Sequence, residues 1–196
     1  MKAPLVYARQ TLATARLTLE PLAPEHAAPM FEGFADPALY TWLDVAPPPD
    51  AEDLRERFTR IARPYAPNGE LWLNWAVRRN EGARYVGLME ATLRPDRVGY
   101  LAYFVFVPYA RQGIAREACA AVIDHLWRAY DAVELRADMD FRNLPSRLVV
   151  ESLGFVRRKH NKATRMRGLP SVDYRYRLRR PDLRRPVEDE PEAPDD

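Results

Sequence analysis

Apolar and polar positions in this chain fall into blocks of different period, and the longest block is Val98–Val107, VGYLAYFVFV. A run so continuous in β-branched and aromatic residues predicts a strand buried on both faces, not a one-sided surface strand. Pro108 ends it, because proline has no N–H to give a strand ladder. A turn over Tyr109–Gln112 follows. Gly113-Ile114-Ala115 then opens a helix whose apolar face, Ile114, Ala118, Val122, Ile123 and Leu126, carries to about Tyr130. Upstream, Arg16–Leu22 alternates as a half-buried first strand, and Pro24–Phe34 reads as a short helix. Asp36–Pro49, with four prolines, reads as a loop. Asp50 caps a second helix to about Ala62, with Leu54, Phe58 and Ile61 on one face.

Leu71–Arg78, Arg84–Leu93 and Val98–Val107 are separated by the turn signals Asn80-Glu81-Gly82 and Arg94-Pro95-Asp96, which predicts an antiparallel meander. Val133–Asp138 is a further short strand. The helical crossover between it and Val98–Val107 makes those two strands parallel. Asn143 caps another helix, with Pro145 in its first turn and Gly154 at its end. Phe155–His160 and Val172–Leu178 are the last two expected strands, joined by a basic loop. The order is β-α-α-β-β-β-α-β-α-β-β.

Composition changes this picture little. The chain has 196 residues, one domain's worth, with 47% apolar and 30% charged residues. No apolar run approaches the roughly 18–20 residues of a membrane helix, and the N-terminus does not read as a signal peptide. One cysteine, Cys119, precludes an internal disulfide and, with no secretion signal, points to the cytoplasm; its place among helical alanines makes it a core residue. His26, His125 and His160 show no metal-ligand spacing, so no metal is expected. Net charge is +2, but Glu188–Asp196 is strongly acidic and Arg157–Arg185 strongly basic. The first reads as a disordered tail. The second is either a solvated edge or a rim for phosphates, an acidic substrate, nucleic acid or the ribosome.

The chemistry concentrates after Pro108. A strand entering a helix through a tight turn leaves the first helical N–H groups without internal partners and facing a favourable dipole, which suits an anion. The segment is neither GxxxxGK[ST] nor GxGxxG. Ala110, Arg111, Gln112, Gly113, Ile114 and Ala115 instead resemble the acetyl-CoA-binding Q/R-x-x-G-x-G/A pattern of the GCN5-related N-acetyltransferases, the GNAT superfamily. Gly113 and Ala115 match; Ala110 stands where glutamine or arginine is usual, and Arg111 where glycine is common. A second motif, Asn143-Leu144-Pro145-Ser146 with Glu151-Ser152-Leu153-Gly154-Phe155, is similar to the N-x-x-S…E-K-L-G-F signature of the branch containing ribosomal-protein-alanine N-acetyltransferases.

The resemblance implies an α/β (α+β) GNAT fold. That is a mixed, mostly antiparallel sheet with one central splayed parallel pair and helices on both faces. Residues 1–14 would be an arm, 15–180 the domain and 181–196 the acidic tail. Acetyl-CoA would be co-substrate and the acceptor a protein N-terminus or small-molecule amine. A non-catalytic acyl-CoA-binding module on the same scaffold is the alternative, and a homodimer is common for such folds.

By the same resemblance the diphosphate would sit on the amides of Arg111, Gln112, Gly113, Ile114, Ala115 and Arg116. The backbone of Phe106 and Val107 would polarise the thioester, and Asn143 would hold the pantetheine arm. Many relatives place a tyrosine at the position of Val150 to assist the leaving thiolate, so Ser146 is the replacement candidate. Glu90, a lone carboxylate in an apolar strand, is the candidate base, since burial raises a carboxyl pKa towards a usable value. Tyr100 and Tyr103 are alternatives that would line the acceptor cleft, as would Trp42, Trp72 and Trp75 unless they pack in the core.

Overall fold

A computed structural model describes residues 9–66 and 68–181. The acidic tail and the start of the N-terminal arm lie outside the described residues. The strands are β1 (Leu12–Ala13), β2 (Leu17–Pro21), β3 (Leu71–Arg79), β4 (Tyr85–Leu93), β5 (Val98–Val105), β6 (Glu134–Asp140), β7 (Val156–Arg157), β8 (Lys162–Met166) and β9 (Leu169–Arg179). The helices are α1 (Ala27–Ala35), α2 (Ala51–Ile61), α3 (Ile114–Tyr130) and α4 (Leu144–Ser152). Sheet order is β1-β2-β3-β4-β5-β6-β9-β7, with β8 on β9. Every pairing is antiparallel except β5 with β6, which is parallel, as the helical crossover predicts.

Alternation along the strands divides the core in two. On one face Leu17, Leu19, Trp75, Met89, Leu135 and Tyr176 pack against α3 and α4. On the other, Ala76, Leu88 and Phe106 pack against Phe34 of α1 and Leu54 and Phe58 of α2. Asp50 starts α2 as expected, its Oδ1 accepting from the N–H of Glu52 and of Asp53, each at 2.9 Å. Trp75 is a core residue, not a pocket wall: it is fully buried and its indole N–H donates to Gln10 O at 3.0 Å.

Two expectations change. The Val98–Val107 run is not buried throughout, since Ala102 is exposed and Tyr103–Val105 are only half-buried. The expected strand Phe155–His160 is shorter than read, and the basic segment between it and Val172 is not a loop. Only Val156–Arg157 pairs there, and Lys162–Met166 returns along β9 through Arg167-Gly168, both at positive φ (51° and 78°). That is the two-residue geometry suited to strand twist, written with Arg-Gly instead of the usual Asn-Gly.

The N-terminal arm is stapled to the start of α3. Glu117 Oε1 accepts from Thr14 Oγ1 (2.6 Å) and Arg16 N (3.0 Å), while Oε2 meets the Arg16 guanidinium at 2.6 and 2.7 Å. Arg16 also donates to Gln112 O at 3.0 Å. Burial pushes the Glu117 carboxyl up, but these donors more than offset it and hold it below the usual carboxylate range. A depressed folded-state pKa means the staple stabilises fully above the ordinary value of 4.5 and is lost as pH falls through the lower folded value. Glu117→Gln should therefore cost roughly 1–2 kcal/mol at neutral pH, a figure kept low because Arg16 is half-exposed. Chemical denaturation as a function of pH should show the deficit shrinking on acidification; a deficit independent of pH would contradict the staple's ionic character.

Candidate active site

The site begins where one pairing stops. β5 and β6 are matched only at Val98↔Glu134, Gly99↔Leu135 and Tyr100↔Arg136. Beyond that β6 follows β9 to Asp140↔Asp173, while β5 stays with β4 to Gly87↔Val105. A wedge opens between two parallel strands.

Which backbone groups line the wedge follows from parity. Phe106 N donates to Val86 O at 2.9 Å, and Arg94 N to Val98 O at 3.0 Å, so the even-numbered residues of β5 bond to β4. The N–H and C=O groups of Tyr103 and Val105 therefore point the other way, into the wedge. This corrects the expectation for Phe106. Its amide is committed to β4 and its ring is buried, packed so closely on α1 that a Cβ at Gly33 would lie 2.4 Å from it. Val107, 41% exposed, offers the next amide along.

At the wedge's outer end the chain turns through Pro108 into α3. Arg111 has φ 59° and Gly113 has φ 78°. The left-handed conformation at Arg111 accounts for the commonness of glycine there in the resembling family, since glycine takes it without steric cost. Gly113 precedes the helical Ile114, so the amides of Gly113, Ile114 and Ala115 converge into a concavity suited to an anion. Arg16, by taking the Gln112 carbonyl, turns the trans-related Gly113 N–H away from itself. Arg111, Gln112 and Arg116 are exposed; the Gln112 side chain donates to Pro108 O at 3.0 Å.

α4 forms the wall opposite β5. Asn143 caps it, its Oδ1 accepting from Ser146 N at 3.2 Å, which leaves the Asn143 amide NH₂ for other partners. The turn before it is fixed by Asp140, whose carboxylate accepts from the Arg142 guanidinium (2.7 and 2.8 Å), Arg142 N (2.9 Å) and Ser171 Oγ (2.7 Å). Arg142 and these other donors hold the Asp140 carboxyl well below its usual range. Val150, where a tyrosine would stand, is buried in the core. Tyr103, expected to line an acceptor cleft, packs its ring against the α3/α4 core, and its hydroxyl donates to Ser146 O at 3.2 Å.

Glu90 lies on the opposite face of the sheet, beside α2. Opposite it on β5 is the exposed Ala102, whose small side chain leaves that flank open. Arg57 of α2 reaches Glu90 Oε1 at 3.3 Å while lying over the Phe34 and Phe104 rings. Burial pushes the Glu90 carboxyl up, and the charge and hydrogen bond of Arg57 temper the rise. Tyr100, on the same face, is bonded to Arg136 at 3.1 Å. The β8–β9 hairpin closes this side, Arg167 N donating to Asp44 Oδ1 at 2.8 Å, and Trp42 lies under the Arg142 guanidinium. Arg57 and Arg16 have no local signature in the sequence; both act across long sequence separations.

Solved structures share this architecture. RimJ from Mycobacterium smegmatis, in complex with CoA-disulfide, superposes with a TM-score of 0.76 at 18% identity, covering 90% of this chain and 90% of that one. RimL, a ribosomal L7/L12 α-N-protein acetyltransferase solved with coenzyme A, gives 0.76 at 16% identity over 87% of this chain and 98% of that one. The ribosomal-protein-S5-alanine acetyltransferase from Vibrio fischeri gives 0.75 at 17% identity over 90% and 100%. No curated protein matches by sequence. Residues 16–156 match the acetyltransferase (GNAT) domain. Splayed parallel pair, amide concavity and domain match agree: the chain belongs to the GNAT acetyltransferase family.

Proposed function

We propose that the protein transfers the acetyl group of acetyl-CoA to a primary amine by direct attack on the thioester. The observation that carries this is the wedge itself, unpaired strand edge on one side and converging helix amides at its mouth. The diphosphate sits on the amides of Gly113, Ile114 and Ala115. The pantetheine arm runs back along β5 as a surrogate strand. From Val107 to Tyr103 is roughly 13 Å of strand. That brings the thioester to the Tyr103 amide, which donates to its carbonyl oxygen as charge builds there. Ser146 stands on the sulfur side, and Asn143 NH₂ faces the arm.

The acceptor amine enters over Ala102, on the face that holds Glu90. Burial raises the Glu90 carboxyl above its ordinary range and suits it to take a proton, directly or through water. The amine nitrogen then attacks the carbonyl carbon, the C–N bond forms and the C–S bond breaks with its electron pair going to sulfur. The base and the departing sulfur are thus on opposite sides of one strand. Relatives named for acting on ribosomal proteins make protein N-termini the first acceptors to try, followed by small-molecule amines.

Titration calorimetry should show CoA binding to the wild type and none to Gly113→Glu, which forces a side chain onto a left-handed residue and aims its carboxylate at Arg16, disturbing the contact that orients the concavity's amides; thermal denaturation of the variant checks its fold. Unchanged affinity would remove the site, and binding without turnover on any amine would favour a non-catalytic module. With an acceptor in hand, Glu90→Gln should lower kcat about 10²-fold. The wild-type rate should fall on acidification with a midpoint above the ordinary carboxylate value of 4.5, a limb absent in Glu90→Gln. Arg57→Met, by removing the group that tempers the rise, should move that limb to higher pH. Identical acid limbs in wild type and Glu90→Gln would exclude Glu90 as the base.

A further inference from the structure

The acetyl-transfer scheme uses the amide of Tyr103 but not its side chain. Its backbone lines the wedge, yet its phenol reaches across to α4 and ends 3.2 Å from Ser146 O in the helix's first turn. Ser146 and Val150 are one helical turn apart on the same side of α4. Val150 is in the core against which the Tyr103 ring packs. Helix α4 therefore offers no phenol, and β5 delivers one to the same wall from the facing side.

The hydroxyl is free to change acceptor. Ser146 O lies inside α4 and has its own helical donor four residues on, so losing the Tyr103 hydrogen bond leaves no orphaned carbonyl. A sulfur lying beside the Tyr103 amide would pass between β5 and the first turn of α4, where the hydroxyl already points.

Resting on the acetyl-CoA reading above, we infer that Tyr103 is a catalytic residue whose hydroxyl turns from Ser146 O to the sulfur and stabilises the leaving CoA thiolate. When the C–S bond breaks, the electron pair stays on sulfur and the Tyr103 O–H donates a hydrogen bond to it. The proton remains on the phenol. The proton lost by the amine reaches the thiolate through Glu90 and solvent, so CoA–SH and the N-acetyl product balance the reactants. Burial pushes the Tyr103 phenol above its ordinary value, which keeps it a donor across the working pH range. Of the other groups around it, Cys119 on α3 is buried with its thiol pushed up to about 12, and Ser146 on α4 offers only a neutral hydroxyl.

The test needs no acceptor. CoA bound to the intact protein is titrated from neutral to alkaline pH, following thiolate absorbance in the ultraviolet against the unliganded protein; Cys119 stays protonated and silent. In the wild type the bound thiol should ionise about one to two pH units below free CoA, and Tyr103→Phe should return it upwards by about one unit. The affinity for CoA should change less than about threefold. The N-terminus of α4, the helix end beside the sulfur, acts equally in both proteins, so the difference reports the hydroxyl alone. A wild-type thiol no more acidic than free CoA overturns the inference without recourse to a variant. So does a shift lost in Ser146→Ala but kept in Tyr103→Phe. Failure of the wild type to bind CoA overturns the cofactor site, and this inference with it; binding with an unmoved thiol pKa overturns this inference alone.

Discussion

The whole arrangement depends on a ladder that ends early. Two parallel strands share three residue pairs and then part. Backbone N–H and C=O groups are obligatory hydrogen-bonding partners, and a strand edge inside a folded protein leaves them a strong demand for a ligand. In an unbroken sheet Tyr103 and Val105 would be matched to β6; here the pairing ends at Tyr100↔Arg136 and they have no β6 partner. A peptide-like cofactor arm carries amide donors and carbonyl acceptors and so can meet that demand as a strand would.

Everything else holds the wedge open and gives it direction. Phe106 pins the end of β5 to α1 through its contact with Gly33 and its bond to Val86. Asp140, Arg142 and Ser171 fix the turn that aims α4. Arg16 and Glu117 fix the turn that aims the α3 amides. Pleating then assigns the chemistry. Even-numbered side chains of β5 share a face with Glu90, α1 and α2, and odd-numbered ones face α3 and α4. In the proposed reaction one strand separates proton acceptance from thiolate departure without further machinery.

Much of this was legible beforehand, and the parts that were not share a cause. Pro108, Gly113, Asp50 and Asn143 act locally, so turns and caps could be read from single residues. The parallel pairing followed from crossover length. Tertiary pairings left no such trace. Nothing in Val98–Val107 says where β6 departs, so the run looks buried throughout, and the polarising backbone is expected at Phe106 and Val107 although the Phe106 N–H is already bonded to Val86. Parity needs the register with β4, which a sequence does not print. Arg57 finds Glu90 and Arg16 finds Glu117 across long stretches of chain, on patterns identical to ordinary solvated charge. The β8–β9 hairpin was hidden by an Arg-Gly turn and strands rich in basic residues, a composition that reads as loop.

Amide hydrogen exchange resolved to single residues, with and without CoA, tests the central claim most directly. The account predicts that CoA protects the amides of Tyr103, Val105, Gly113, Ile114 and Ala115, while Phe106, already bonded to Val86, exchanges as before. Protection confined to Phe106 and the even-numbered positions, or none along β5 at saturating CoA, would contradict it.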